Sequence, residues 1–551
     1  MTIGQRVREL LPQRADYAAM RRDPKRDILA GVTVAVVALP LALAFGQASG
    51  LGAAAGLVTA VIAGFLAAIF GGSNLQVSGP TGAMTVVLLP IVAEFGAGGV
   101  LVVGLMAGAM LVLLAFAGVG TYIRYLPLPV IEGFTVGIAI VIGLQQIPAA
   151  LGVEVEGSRV VLVAVSAVQE WLAAPDWAPV IIAASIAAAM LIAARVRPGL
   201  PVSLAAVALV TAIVAWSGVD VAMIGAIPTG LPAMSVPSIP WSSLSVLVVP
   251  AIAVAALAAL ESLLCATVAD AMTVDERHNS NRELFGQGIA NLAVPFFGGV
   301  PATAAIARTA VNVRSGARSR LGAITQSAVL LAVMLVAATW VAYIPLAALA
   351  GVLIATVVQM IEVSSLRAVA TATRGDAIVL VVTALATVAL DLVIAVVIGL
   401  AIAGILALRQ VAQSAQVDEL ALSASSSEGD GEDLLAEHVI AYRLDGPLFF
   451  GAAHSFLLEV AETSDVSVVI LRLSRVKTLD ATGAAVLRDT IVSLERRGIV
   501  VLLSGIRPEH SGIFEALGVY DALGDRARVF PTTPEAIAYA REHVKALGQG
   551  G

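Results

Sequence analysis

Cysteine is nearly absent from this 551-residue chain, where Cys265 stands alone. One thiol cannot close an intramolecular disulfide or supply a multi-cysteine metal cluster, so neither a covalent staple nor a metal site is expected. Lysine is confined to Lys25, Lys477 and Lys545, leaving the long middle of the chain without any. Charged residues make up 13% of the sequence, about half the usual share of about 25%. Five histidines, one cysteine and no nucleophile–base motif give no catalytic constellation, so no enzyme is expected. The sequence has no Walker-type loop for a nucleotide and no cleavable signal pattern at its N-terminus. The net charge of −7 comes largely from the C-terminal part. It gives no reason to expect a nucleic-acid partner.

What the chain has instead is apolar length. Its apolar share of 59% exceeds the roughly 45–50% of soluble domains, which marks an integral membrane protein. A crossing helix needs about 20 apolar residues. On that criterion full or half spans fall at 28–49, 51–71, 79–93, 98–118, 126–148, 177–195 and 200–217. A second set falls at 247–271, 283–298, 300–313, 319–341, 344–361, 376–391 and 392–409, with 158–174 as an interfacial helix. With the basic lead-in 1–27 inside, every arginine from Arg124 to Arg409 lies at a cytoplasmic end, except Arg159 and the mid-span Arg308. That excess is what cytoplasmic loops carry. The expectation is an all-α polytopic domain over 28–410, with 14 spans and both termini cytoplasmic, in the plasma (inner) membrane.

Two spans are too short to cross alone: "SGPTGAMTVVLLPIV" from Ser78 and "GGVPATAAIARTAVNV" from Gly298. Each opens with small residues around a proline, and each is third in its set of seven. An odd number of spans per set makes the two repeats inverted, and broken helices at matching positions point to a transporter's binding site. A helix N-terminus carries unpaired N–H groups and partial positive charge. Two of them, at Pro80-Thr81-Gly82 and Pro301-Ala302-Thr303, would form an anion site, with each proline in the first helical turn. Gly82, Ala83, Ala304 and Ala305 would let a ligand approach the backbone. Arg308, two turns past Pro301, would lean back toward the pocket, and a bound anion would offset the cost of its depth. Glu261, mid-span, is a candidate proton carrier by the same depth argument. Phe45 is a candidate apolar wall of the pocket.

After Arg409 the composition turns polar, and 411–437 reads as a linker. From 438 to 551, β-rich runs such as "VSVVILRL" and "IVVLLSG" alternate with helical stretches, as in a small α/β domain. In "LDATGAAVLRD", Thr482 reads as the N-cap of a helix.

Five motifs in order carry a resemblance: "AGVTVAVVALPLALAFG", "GGSNLQVSGPTGAM", "ALESLLCATVAD", "FFGGVPATAAIARTAVN" and, in the tail, "LDATG". Together they resemble the SulP (sulfate permease) family of anion transporters with a C-terminal STAS domain. The resemblance implies core and gate subdomains, a pocket between the first, third, eighth and tenth spans, frequent homodimers and a regulatory partner for the STAS domain. It implies substrate binding by Phe45, Thr81, Gly82, Ala83, Thr303, Ala304, Ala305 and Arg308, ion coupling at Glu261, and phosphorylation at Thr482. Sodium-driven bicarbonate members carry an aspartate with a hydroxyl residue one turn on. Glu261 and Cys265 stand there in this chain, which favours H+ as the coupling ion and no other cofactor. Leu41, Ala305 and Ala307 replace polar residues of many members, leaving a pocket that suits a carbon-bearing anion such as a C4-dicarboxylate. Within the same architecture a nucleobase permease is the alternative, and a passive anion channel is a further one.

Overall fold

The computed structural model describes residues 3–155, 157, 159–196, 202–236, 244–273, 276–390, 392–413, 416–420, 438–449 and 466–548. The chain divides into two compact units, Met1–Ala401 and Ile402–Gly551.

The first unit begins with short helices at Ile3–Leu10 and Arg14–Ala18. The membrane helices follow: α1 (Pro24–Ala48), α2 (Ala53–Phe70), α3 (Gly82–Ala117), α4 (Leu128–Gln145), α5 (Val160–Ala173), α6 (Trp177–Val196) and α7 (Val202–Ser217). Then come α8 (Leu244–Ala271), α9 (Ser280–Ala293), α10 (Ile306–Arg314), α11 (Leu321–Val336), α12 (Leu346–Met360), α13 (Val363–Ala372), α14 (Arg374–Ala389) and α15 (Leu392–Gln413). Two short strands, β1 (Ser78–Gly79) and β2 (Thr303–Ala304), precede α3 and α10. Among the described residues, eight helices are long and apolar enough to cross a membrane, and α5, α7 and α11 are shorter apolar helices. A 36-residue helix such as α3 would extend about 54 Å, nearly twice a hydrocarbon core of about 30 Å. Gly96, at φ +66°, breaks it where the sequence separates two spans.

Packing sorts these helices into two groups. In one, α1, α2, α3, α8, α9 and α11 pack on one another, with α10 against α1 and α8; in the other, α4 packs on α12 and α14, and α12 packs on α6. Helices cross closely in the first group because small residues meet there: a methyl added to Gly56 of α2 would lie 2.0 Å from the Ala42 carbonyl of α1.

The second unit holds a five-stranded sheet in the order β3 (Gln416–Leu420), β4 (Val439–Leu448), β5 (Val468–Leu479), β6 (Val500–Ser504) and β7 (Val529–Phe530). β3 is antiparallel to β4, and the other neighbours are parallel. Helices α16 (Ala481–Arg496) and α17 (Pro508–Ala516) cover one face, and α18 (Thr533–Gly548) covers the other. Val468 through Leu471 are therefore fully buried on both sides, as the strands of a two-sided parallel sheet must be.

Several expectations are corrected here. The first helix starts at Pro24, four residues before the expected start of the span at 28. The 283–298 stretch is helical only to Ala293 and continues as a 3-10 turn at Val294–Phe297. The stretch read as a linker contains the end of α15 and the strand β3, while 421–437 lies outside the described residues. Thr482 is not the N-cap of α16. That place belongs to Asp480, whose carboxylate accepts from Gly483 N at 2.7 Å, and Thr482 is an exposed residue of the first turn.

Candidate functional site

The site is built where the two broken spans meet. β1 and β2 pair antiparallel, Ser78 opposite Ala304 and Gly79 opposite Thr303. Each strand feeds a helix within three residues, so the N-termini of α3 and α10 both lie at this junction. Side chains fix the extended leads in place. Asn291 of α9 donates to Ala302 O at 2.9 Å and accepts from Ala302 N at 2.8 Å, and Thr59 of α2 accepts from Val300 N at 2.7 Å. These side-chain bonds occupy the backbone of residues 300–302. The helix α10 accordingly begins at Ile306 with Ala305 as its cap.

This revises the expected geometry. Neither proline occupies a first helical turn: Thr81 caps α3, and Pro80 lies before the cap. Thr303 and Ala304 are strand residues tied to α8. The Thr303 hydroxyl is 3.0 Å from that of Ser262, which also accepts from Ala304 N at 3.3 Å. Ala305 N donates to Val77 O at 3.0 Å. Arg308 sits in the first turn of α10, not two turns along it.

What the junction presents is specific. The first intrahelical bonds are Thr85 N to Thr81 O and Thr309 N to Ala305 O. The N–H groups of residues 82–84 and 306–308 precede those bonds at the two helix starts. Arg308 is 1% exposed. Its Nη2 donates to Pro80 O at 2.8 Å, linking the two leads, while Nε and Nη1 have no protein partner. A methyl on Gly79 would lie 2.6 Å from Nη1, so the guanidinium rests directly on that glycine. Phe45 of α1 borders the α3 start: a methyl on Gly82 would lie 3.1 Å from its Cε1 and 2.3 Å from Ile142 Cδ1. Across the junction, the Thr81 hydroxyl, which makes no cap bond to its own helix, donates to Glu261 Oε2 at 2.9 Å.

The structure thus gathers Phe45, Thr81, Gly82, Ala83 and Arg308 around one place, with Glu261 beside them. Sequence reasoning missed Ser262 and Thr309. The latter accepts from Val77 N at 3.0 Å and from the Cys265 thiol at 3.2 Å. Each directly follows an ionisable residue of the site, a pairing that could have drawn attention to both. No group of histidine, cysteine and carboxylate side chains suited to a metal occurs among the described residues. A cavity of about 250 Å³ adjoins the junction between the two helix groups. Glu261 and Ile306 line it, and Phe134, Ile138 and Leu264 make much of its apolar wall.

A helical membrane unit with two helix starts meeting at a buried cation, followed by an α/β sheet unit, has the plan of an anion transporter. The chain matches the sulfate permease family over residues 25–383 and the STAS domain over 435–536, and it belongs to the sulfate permease family. It is 34% identical to the bicarbonate transporter BicA of Synechocystis sp. (strain ATCC 27184 / PCC 6803 / Kazusa), over 91% of each chain. It is 33% identical to YvdB of Bacillus subtilis (strain 168), provisionally named a sulfate transporter, over 91% of this chain and 95% of YvdB. The solved transmembrane domain of a cyanobacterial BicA superposes with a TM-score of 0.64 at 35% identity, covering 68% of this chain and 98% of that one. SLC26A9 superposes at 0.81 with 17% identity, over 99% and 95%, a likeness of fold.

Proposed function

We propose that the chain is a secondary active transporter that carries a small oxyanion together with a proton by alternating access. The single observation that carries this reading is the state of Arg308: a fully buried guanidinium with two nitrogens, Nε and Nη1, unpartnered by protein, held between two helix starts. A buried donor left unpaired costs about 1–3 kcal/mol, and more when charged, so a negatively charged ligand suits the place. Glu261, hydrogen-bonded to the α3 cap, is a carboxylate at the junction and takes the role of proton carrier. The apolar cavity beside it supports an anion with a carbon skeleton, such as the C4-dicarboxylates fumarate and succinate. The names of the relatives support bicarbonate and sulfate. Arginine placement supports cytoplasmic termini in the inner membrane. Homodimers and a cytoplasmic partner for the STAS domain, with Thr482 as an exposed phosphorylation site, belong to the same reading.

The test is uptake by proteoliposomes holding the purified chain, across fumarate, succinate, sulfate, bicarbonate, chloride and uracil, with and without an imposed pH gradient. Accumulation of an oxyanion above equilibrium, driven by inward-directed protons, is the expected result. Accumulation that follows a sodium gradient at fixed pH would overturn the proton assignment. Uracil uptake would favour a nucleobase permease, and flux that never exceeds equilibrium would favour a channel.

A further inference from the structure

At one end of the membrane unit, the loop between α10 and α11 is fastened to the start of α1. Asp27, 1% exposed, accepts from Arg318 N at 2.7 Å and from Ser319 N at 3.2 Å, and the Ser319 hydroxyl donates to its second oxygen. This brings the Arg26 guanidinium onto Gly316, where a methyl would lie 2.4 Å from Nε and where φ is +96°. Only glycine combines that backbone angle with so close an approach. Exposed Arg26 and Arg318 are thereby brought to one end of the unit, with exposed Lys25 and Arg314 beside them in the chain, and none of the four forms an ion pair with a described acid. The two acids nearby are already engaged, Asp27 beneath the loop and Asp23 in accepting from Arg26 N at the α1 cap. The exposed apolar side chains of α1 begin directly afterwards at Ile28 and Leu29. The cations therefore lie where hydrocarbon gives way to headgroups.

We propose that this surface binds the phosphate of an anionic phospholipid, seated between the start of α1 and the end of α10. Arginine forks match phosphate oxygens in pairs, and basic residues beside a membrane helix attract anionic lipid. The geometry adds what a scattered surplus of positive charge lacks, since Asp27 and Gly316 fix the loop and Arg26 against each other. The lipid would rest on α10, the nine-residue helix that carries Arg308 in its first turn and Arg314 at its end.

The test uses the purified full chain in vesicles of phosphatidylcholine, with phosphatidylglycerol added in steps. The readouts are the thermal unfolding midpoint and the phosphatidylglycerol retained on native mass spectrometry. Phosphatidylglycerol is expected to raise the midpoint and to be retained by the wild type. Its apparent affinity should fall at least about tenfold in the variant combining Arg26→Gln, Arg314→Gln and Arg318→Gln. The pair Arg367→Gln with Arg374→Gln, exposed cations elsewhere in the unit, should leave the response intact. Arg26→Gln alone, which spares the Asp27 anchor, should give the same loss in smaller measure and covers a triple variant that does not fold. An undiminished response in both the triple and the single variant would overturn the site. So would an equal loss in the control pair, which would mean diffuse attraction, or full stabilisation by inorganic phosphate in pure phosphatidylcholine.

Discussion

The starts of α3 and α10 are equivalent in topology and different in chemistry. Both follow a two-residue strand, both strands share one pairing, and both helices leave the junction by their N-termini. The α3 start contributes a hydroxyl and bare backbone, Thr81 with Gly82 and Ala83, and spends its hydroxyl on Glu261. The α10 start has an alanine cap and supplies the charge, through Arg308. A junction of two identical starts would hold an anion by partial charges alone. With one buried guanidinium on one side and one carboxylate within reach of the other, the proposed anion binding and the proposed proton coupling fall to separate residues. The asymmetry of the two starts makes the proposed roles open to dissection one side at a time.

The largest effect should come from the charged side. Arg308→Ala removes hydrogen bonds to a charged ligand worth about 1.5–3 kcal/mol each, so uptake should fall by about 100-fold or more while the chain still reaches the membrane folded. Undiminished uptake would remove Arg308 from the site. Glu261→Gln tests the link across the junction. Accumulation driven by a pH gradient should be lost and the pH dependence of uptake flattened, while anion exchange at equal pH persists. Retained proton-driven accumulation would separate Glu261 from coupling.

Gly79→Ala comes next, since its methyl would push on a guanidinium already pinned by Pro80 O. A displaced donor should cost about tenfold in apparent affinity, visible as a raised KM with kcat less affected. The smallest effect on transport belongs to the second unit. Asp480→Ala should lower the unfolding midpoint of the STAS unit, by loss of a cap bond worth about 0.5–2 kcal/mol, and leave uptake by the folded protein unchanged.

Parts of this comparison were legible in the sequence and parts were not, for physical reasons. Helix positions were legible because lipid requires long apolar runs, and the prolines at 80 and 301 marked both breaks. The start of α10 was misplaced because three of the four residues from Ala302 to Ala305 are alanine, which favours helix. What extends them is tertiary: the pairing with β1, and the bonds from Asn291 and Ser262. The same contacts place Arg308 in the first helical turn and tie Thr303 and Ala304 to α8. β3 was hidden because "QVDEL" is short and polar, and only its register against β4 makes it a strand. At the α16 start, Asp480 and Thr482 are both residues that cap helices well. The choice between them rests on which one reaches Gly483 N.

The central claim is that an anion sits between the two helix starts, in contact with the donors of Arg308. Electron cryo-microscopy of the full chain with saturating selenate, a heavy oxyanion, tests it most directly. The account predicts density between Gly82 and Arg308, with an oxygen about 3 Å from Nε or Nη1. Selenate bound only elsewhere, with this junction unchanged in a chain shown to transport it, would contradict the account.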